Sequence, residues 1–215
     1  MTGAESLVVG FDLDMTLIDP RLGVAAAMTA LEGEINAGID IRWVVDNLGP
    51  PLETVLARWV DADQVEPAAW RYRELFEDLG IASTKAMPGA LGAVQAVREA
   101  GGTVIVVTAK YEPHARASLE AIGVSVDAVF GWLFGVAKGE ALRSHRAAIY
   151  VGDHPADVAA ARAGNALAVM VASGAASIEE LTAAGGDVLL ESLEAFPGWL
   201  SRYLQNQRVS RLHSP

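Results

Sequence analysis

The most constraining feature of this sequence is an alternation of two kinds of segment along most of its length. Five segments are short, rich in β-branched residues and almost entirely hydrophobic: Leu7–Phe11, Thr103–Val107, Val126–Phe130, Ala148–Val151 and Leu167–Val171. Such segments are typical of parallel strands buried on both faces. Between them lie alanine-rich stretches that predict helices, at Ala90–Ala100, Pro113–Ile122, Gly139–Ser144, Ala156–Ala163 and Ile178–Ala183. The alternation predicts an α/β fold with a doubly wound, Rossmann-like parallel sheet and helices on both sides.

One long interval after the first strand contains no strand-like segment. Its sequence predicts four helices, at Pro20–Ala37, Ile41–Leu48, Leu52–Val60 and Pro67–Leu79, with Asp19 as the N-cap of the first. We therefore predict that residues 1–18 and 86–200 form the core and that residues 19–85 form an inserted α-helical cap domain. Residues 201–215, which carry arginines but no acidic residue, are predicted to be a flexible tail.

Composition excludes several classes of function. The net charge of −11 argues against a nucleic-acid or anionic-membrane partner, and the apolar segments are of strand length rather than the roughly 18 residues of a membrane span. With no cysteine, the chain has no disulfide and no thiolate nucleophile. These features, and the lack of a leader-like start, predict a soluble cytoplasmic protein; the oligomeric state, monomer or dimer, stays open.

Two aspartates lie where the first predicted strand ends. Asp12 and Asp14 are two residues apart, so in extended backbone both carboxylates would face the crevice where open α/β sheets bind ligands. Read alone, such a pair is also compatible with a loop start or a helix cap.

Other strand ends and helix starts carry single polar residues. Thr108 ends a strand and could bind a phosphoryl oxygen or cap a turn, and Lys138 could neutralise a phosphate or be solvated. Asp153 follows a buried strand and Asp157 opens the next helix, so one could ligate a hard cation while the other supports it, although Asp157 also suits a helix dipole. The pattern requires no general base at His154.

Together, these residues form a more specific pattern than any one of them does. The order Asp12-x-Asp14-x-Thr16, then Thr108, Lys138 and Gly152-Asp153-x-x-x-Asp157, at regular βα spacing, resembles the haloacid dehalogenase-like phosphohydrolase superfamily over residues 5–195. The helical insert directly after the first motif is similar to the cap of the phosphoglycolate-phosphatase-like branch.

The resemblance implies a Mg²⁺-dependent phosphatase acting on a small phosphorylated metabolite. Asp12 would be the nucleophile and Asp14 the general acid and base, while Thr108 and Lys138 would hold the phosphoryl group. Mg²⁺ would be bound by Asp12, the backbone carbonyl of Asp14 and Asp153, with Asp157 as a further ligand or a supporting partner. The sequence departs from the family at two positions, with Met15 in place of Gly and Gly139 in place of Pro.

Three alternatives stay open at this stage. A phosphomutase would return the phosphoryl group to the substrate, a signalling receiver would accept it on an aspartate, and a metal-binding domain would carry out no catalysis. The order of the motifs disfavours a receiver. The substrate is not readable from the cap, because several cations are candidates to contact it: Arg42, Arg58, Arg71, Arg73 and, beyond Thr108, Lys110.

Overall fold

A computed structural model describes residues 7–212 of the chain, with the backbone alone described for 210–212. Residues 1–6 of the predicted core and residues 213–215 of the predicted tail lie outside the described residues. Within this range, no helix combines the length and the apolar character that crossing a bilayer requires.

The central feature is a six-stranded parallel sheet. Its strands, in chain order, are β1 (Val8–Phe11), β4 (Thr103–Val107), β5 (Ala128–Phe130), β6 (Ile149–Gly152), β7 (Leu167–Val171) and β8 (Val188–Leu190). They are arranged β5-β4-β1-β6-β7-β8. The chain adds β4 and β5 on one side of β1 and then β6, β7 and β8 on the other side, so the strand order reverses at β1. The predicted doubly wound fold is confirmed.

Helices cover both faces of this sheet because its strands are apolar on both faces. Val104 and Val106 pack in one hydrophobic cluster, whereas Ile105 and Val107 pack in the other. The flanking helices are α5 (Ala90–Glu99), α6 (Glu112–Ala121), α7 (Lys138–Ser144), α8 (Pro155–Gly164), α9 (Ile178–Ala183) and α10 (Phe196–Leu212). Alternate residues of one strand thus pack into two separate hydrophobic cores, as continuous apolar runs predict.

The helical insert rises from a two-stranded antiparallel ribbon. In this ribbon β2 (Ile18–Asp19) pairs with β3 (Lys85–Ala86). Between the two strands lie α1 (Arg21–Ile35), α2 (Ile41–Asp46), α3 (Leu52–Leu56) and α4 (Val65–Leu79). These helices enclose a hydrophobic cluster of their own, with Met28, Leu56 and Phe76 at its centre.

Three local features of the structure add to or correct the sequence analysis. Residues 201–212 of the predicted tail are helical, because α10 starts with Phe196 and Leu200 buried against the core; the flexibility of the tail stays a prediction. Asp19 is not the N-cap of α1; Pro20 is, and the Asp19 carboxylate accepts a hydrogen bond from the backbone N–H of Arg21 at 3.1 Å. Strand β8 was not predicted; it is a short edge strand whose three side chains are only partly buried, so it lacks the long apolar run that marks the central strands.

Candidate active site

The site forms at the carboxyl end of the sheet, where β1 and β6 lie side by side. Asp12 follows β1, and its backbone N–H donates to the carbonyl of Val151 at 2.8 Å. Asp153 follows β6, and its carboxylate accepts a hydrogen bond from the hydroxyl of Thr16 at 2.7 Å. Because adjacent parallel strands end at one edge of the sheet, distant parts of the sequence meet there.

Three buried carboxylates come together at this edge. Asp12, Asp153 and Asp157 each offer an oxygen atom within 4.8 Å of the others. Asp157 lies in the first turn of α8, where its carboxylate accepts a hydrogen bond from the backbone N–H of His154 at 3.1 Å. A Cβ atom at Gly152 would overlap that carboxylate, so the small residue is required for this approach.

Lys138 is the cation of this cluster. Its ammonium lies 2.7 Å from Asp157 Oδ1 and 3.0 Å from Asp12 Oδ1, and it donates to the hydroxyl of Tyr150 at 2.8 Å. The residue is only 2% exposed. A lysine at the start of a helix is usually solvated, and here two carboxylates and a hydroxyl replace the lost water.

The electrostatics of the cluster favour an additional cation. Burial raises the pKa of Asp12 to about 7, against the opposing charge of Lys138, and burial together with the charges of Asp12 and Asp157 raises the pKa of Asp153 well above its usual range. Burial alone would lower the pKa of Lys138, but the same two carboxylates raise it. Three acids around one lysine therefore leave an excess of negative charge.

The oxygen atoms present are suited to a divalent cation. Among the described residues, Asp12 Oδ1 is a buried oxygen that accepts no well-aligned hydrogen bond, despite its close contact with Lys138. Carboxylate and carbonyl oxygens are the ligands preferred by Mg²⁺. The donor set and its unmet oxygen therefore fit such an ion.

Asp14 lies apart from this cluster. Its carboxylate forms an ion pair with Lys110, at 3.0 and 3.3 Å, and is not one of the three grouped oxygen donors. The expectation that Asp12 and Asp14 face one place is thus only partly met, since the loop after Leu13 turns Asp14 toward the insert. The Asp14 backbone carbonyl, and not its carboxylate, stays the candidate metal ligand.

Met15, one of the two departures from the family pattern, is accommodated by its surroundings. It has a positive φ of 63°, a conformation that glycine adopts without strain and other residues adopt rarely. Its carbonyl accepts a hydrogen bond from Ser173 at 2.7 Å, and its side chain is buried in the core. Packing and hydrogen bonding therefore hold a methionine in a turn that favours glycine.

Thr108 and His154 have clear local roles. Thr108 is buried at the end of β4, and its hydroxyl accepts a hydrogen bond from the backbone N–H of Lys110 at 3.2 Å, which leaves the hydroxyl proton to donate elsewhere. His154 is the N-cap of α8, because its Nδ1 accepts the N–H of Ala156 at 3.0 Å.

A cavity of about 90 Å³ lies between the insert and the core, beside Asp14. Of the four arginines proposed from the sequence, Arg73 lines it. The other three make contacts elsewhere: Arg42 with Asp46, Arg58 with the ring of Trp43, and Arg71 with Glu34 and Glu74. Lys110 also lines the cavity, as predicted.

Two polar residues on the core side of the lining were missed from the sequence. Tyr111 and His114 reach the cavity from the start of α6. Their position just after Thr108 and Lys110, at a strand end, was the one available signal, because ligands bind at that end of an open α/β sheet.

Comparison with known proteins gives consistent results. A sequence profile described as haloacid dehalogenase-like hydrolase matches residues 7–165. "Probable phosphatase IndB" of Dickeya dadantii (strain 3937) is 33% identical over 124 residues, which are 54% of this chain and 54% of that protein. The match thus spans about half the length of this curated relative.

Solved structures show the same fold. The structure of a "predicted phosphatase" from Clostridium acetobutylicum superposes with a TM-score of 0.81, at 23% identity, over 93% of this chain and 100% of that chain. A haloacid dehalogenase-like family hydrolase from Streptococcus pneumoniae gives a TM-score of 0.78, at 22% identity, over 93% and 98% of the two chains.

Proposed function

The chain belongs to the haloacid dehalogenase-like hydrolase family, and on that premise we propose that it is a Mg²⁺-dependent phosphatase of a small phosphomonoester, acting through an aspartyl-phosphate. One observation carries the proposal. The buried carboxylate of Asp12 lies beside a buried lysine and two further carboxylates, with one oxygen atom lacking a hydrogen bond. A cytoplasmic location, and the division into a core (1–18 and 86–200) and a cap (19–85), are part of the same proposal.

Asp12 acts as the nucleophile in the first half of the reaction. An oxygen of its carboxylate attacks phosphorus, and the bond from phosphorus to the ester oxygen breaks. Asp14 donates a proton to the departing oxygen, so the alcohol leaves neutral. Lys138 and Thr108 bind the phosphoryl oxygens and offset their charge.

Water completes the reaction in the second half. Asp14, now ionised, removes a proton from a water molecule that attacks phosphorus. The acyl-phosphate bond breaks, inorganic phosphate leaves and the Asp12 carboxylate is restored.

Asp12, Asp153 and the backbone carbonyl of Asp14 would hold the Mg²⁺ ion. When bound, it offsets the negative charges that otherwise keep phosphate and carboxylate apart. Asp157 suits a supporting role, because its oxygens already accept hydrogen bonds from Lys138 and from the His154 backbone. It thereby orients the lysine that contacts the nucleophile.

We expect purified protein to release inorganic phosphate from phosphomonoesters with Mg²⁺ and to stop when EDTA is added. Asp153→Asn should raise the Mg²⁺ concentration for half-maximal rate by roughly tenfold or more, because a charged ligand becomes neutral. The exposed Asp63→Asn is the matched control and should keep the parent value. Phosphate release indifferent to EDTA would contradict the metal role, and isomerised ester in place of free phosphate would indicate a mutase.

Asp14→Asn should separate the two half-reactions. Alkyl phosphates need a proton on the leaving oxygen, so their turnover should fall by roughly 10²- to 10⁴-fold. With p-nitrophenyl phosphate the leaving group needs little protonation, so the first step should survive better than the second. Rapid-mixing absorbance should show a burst of nitrophenolate, and intact-protein mass spectrometry should show a trapped phosphoryl group. An equal loss on both ester types, with no phospho-enzyme, would refute the acid and base roles of Asp14.

A further inference from the structure

The cavity beside Asp14 carries information about the alcohol part of the substrate. A leaving group that Asp12 displaces from phosphorus and that Asp14 protonates must lie where Asp14 meets the insert, which is this cavity. Its insert wall is mostly aliphatic and aromatic, built from Val24, Met28, Val44, Val55 and Phe76. Such a lining favours an apolar ligand body.

The charged groups of the cavity are already matched. Arg73 is 5% exposed and forms an ion pair with Glu53 at 2.5 Å, and Lys110 forms one with Asp14 at 3.0 Å. Burial, with the charges of Lys110 and Arg73, lowers the pKa of His114 to about 4, so its ring is neutral near pH 7. A carboxylate entering this cavity would have to compete with Glu53 for Arg73 or with the Asp14 carboxylate for Lys110, and it would lose its hydration.

Two lining residues each have a buried nitrogen atom that makes no hydrogen bond with any residue the structure describes. They are Nη1 of Arg73 and Nε2 of His114, and both residues are less than 6% exposed. Nη1 of Arg73 is a donor, whereas Nε2 of a neutral His114 donates or accepts according to its tautomer. A buried polar atom without a partner is unfavourable, so a ligand with an acceptor for Arg73 would be bound strongly there.

Both side chains are held in place by aromatic rings. The Arg73 guanidinium lies 4.3 Å from the ring centre of Trp132 and 4.9 Å from that of Trp70. The His114 ring lies 5.3 Å from Phe76 and 4.9 Å from Tyr111. The two nitrogens are therefore in fixed positions rather than on mobile side chains.

We propose that the substrate is the phosphate ester of an uncharged, mainly apolar alcohol, and that Arg73 and His114 select it by binding a neutral hydrogen-bond acceptor such as a carbonyl. This proposal rests on the proposed phosphatase function. It places phosphoglycolate, with its carboxylate, among the poor substrates. Apolar contacts hold the body of the alcohol, Arg73 Nη1 donates to its acceptor, and His114 Nε2 makes the second polar contact.

Three matched esters test the proposal. Benzyl phosphate and its carbamoyl and carboxy ring derivatives release benzylic alcohols of similar reactivity, and they differ in whether the ring carries no acceptor, a neutral acceptor or a charge. The quantity compared is kcat/KM, measured with Mg²⁺ for each ester. The better of the 3- and 4-carbamoyl esters should have a kcat/KM about tenfold higher than that of benzyl phosphate. It should also be about tenfold higher than that of the carboxy ester substituted at the same ring position.

Variants assign this preference to its residues. Arg73→Gln, with Glu53→Gln added so that no buried charge is left alone, should bring the ratio of carbamoyl to benzyl ester close to one, and His114→Gln should reduce it. Arg71→Gln, on the same helix but paired with Glu34 and Glu74 outside the cavity, should keep the parent ratio. Each ratio compares two esters on one protein, so partial unfolding does not affect it.

The outcomes separate the two proposals. If the parent protein hydrolyses neither these esters nor p-nitrophenyl phosphate, the phosphatase function is wrong. If it hydrolyses p-nitrophenyl phosphate but none of the three esters, the phosphatase function stands and the substrate class is overturned. If all three esters are hydrolysed but the carboxy ester is equal or better, or if the Arg73 variant keeps the parent ratio, the phosphatase function stands and the substrate class is overturned.

Discussion

Asp12→Asn is expected to abolish phosphate release, lowering kcat by roughly 10⁴-fold or more, while the protein stays folded. The amide keeps the shape of the carboxylate but is too weak a nucleophile to form the phospho-enzyme. Steady-state release of inorganic phosphate measures the loss, and mass spectrometry after mixing with substrate should show no added phosphoryl group.

The same substitution should not destabilise the protein, which separates a catalytic role from a structural one. Burial is the main reason that the pKa of Asp12 is raised to about 7. At pH 8, with metal removed by EDTA, the buried carboxylate of Asp12 is therefore charged and lies beside that of Asp157. A neutral amide removes this unfavourable charge, so the free energy of unfolding in urea should equal or exceed that of the parent. Asp63→Asn should leave both rate and stability unchanged. A folded Asp12 variant with substantial activity would refute its role as the nucleophile.

Lys138→Met is expected to cost both activity and stability. The substitution keeps the length of the side chain but leaves the carboxylates of Asp12 and Asp157 without their shared cation. Removing one partner of a buried ion pair typically costs about 3–5 kcal/mol. Urea unfolding in EDTA at pH 8 should show a loss of this size, with phosphate release abolished.

The loss should depend on pH in a definite direction. A carboxyl group whose pKa is higher in the folded state than in the unfolded state binds more protons when folded, so its contribution to stability falls as pH rises between the two values. For Asp12 that window runs from its ordinary value of 3.8 to about 7 in the parent, and removing Lys138 widens it upward. The variant should therefore be less destabilised at pH 5 than at pH 8.

Two further proteins serve as controls for Lys138. Lys85→Met removes an exposed lysine and should change neither rate nor stability. Adding Asp157→Asn to Lys138→Met should recover part of the lost stability, because one of the unpaired carboxylates is gone. If Lys138→Met alone were as stable as the parent at pH 8, the lysine would not be the cation that balances this cluster.

The element order and the position of the chemistry along the chain were predictable from the sequence. Continuous apolar runs such as Thr103–Val107 have few ways to be buried other than between two layers of helices, so an α/β sheet was the expected fold. Asp12, Thr108 and Asp153 each follow such a run, and the carboxyl ends of parallel strands share one edge. The alternation of strands and helices thus places these three residues at one edge.

Side-chain direction and partner choice were decided by the tertiary structure alone. The side chains of Asp12 and Asp14 are expected to face one place, but the loop after Leu13 turns Asp14 toward the insert, where its carboxylate pairs with Lys110. Taken alone in the sequence, Lys138 is compatible with a solvated lysine, and only the family resemblance assigns it to the phosphoryl group. It is buried because helix α7 places its ammonium between Asp12 and Asp157, which are far away along the chain.

The cavity between insert and core also has features that the sequence does not predict. Four arginines of the insert were equivalent by sequence, and Arg73 lines the cavity because its face of α4 packs toward Tyr111 and Trp132 of the core. Hydrophobic periodicity records which residues are buried, and it does not record which distant element buries them. The sequence by itself therefore determined the fold class and the edge of the sheet where the chemistry lies, while the packing of insert against core decided which charges are paired and which polar atoms are left for a ligand.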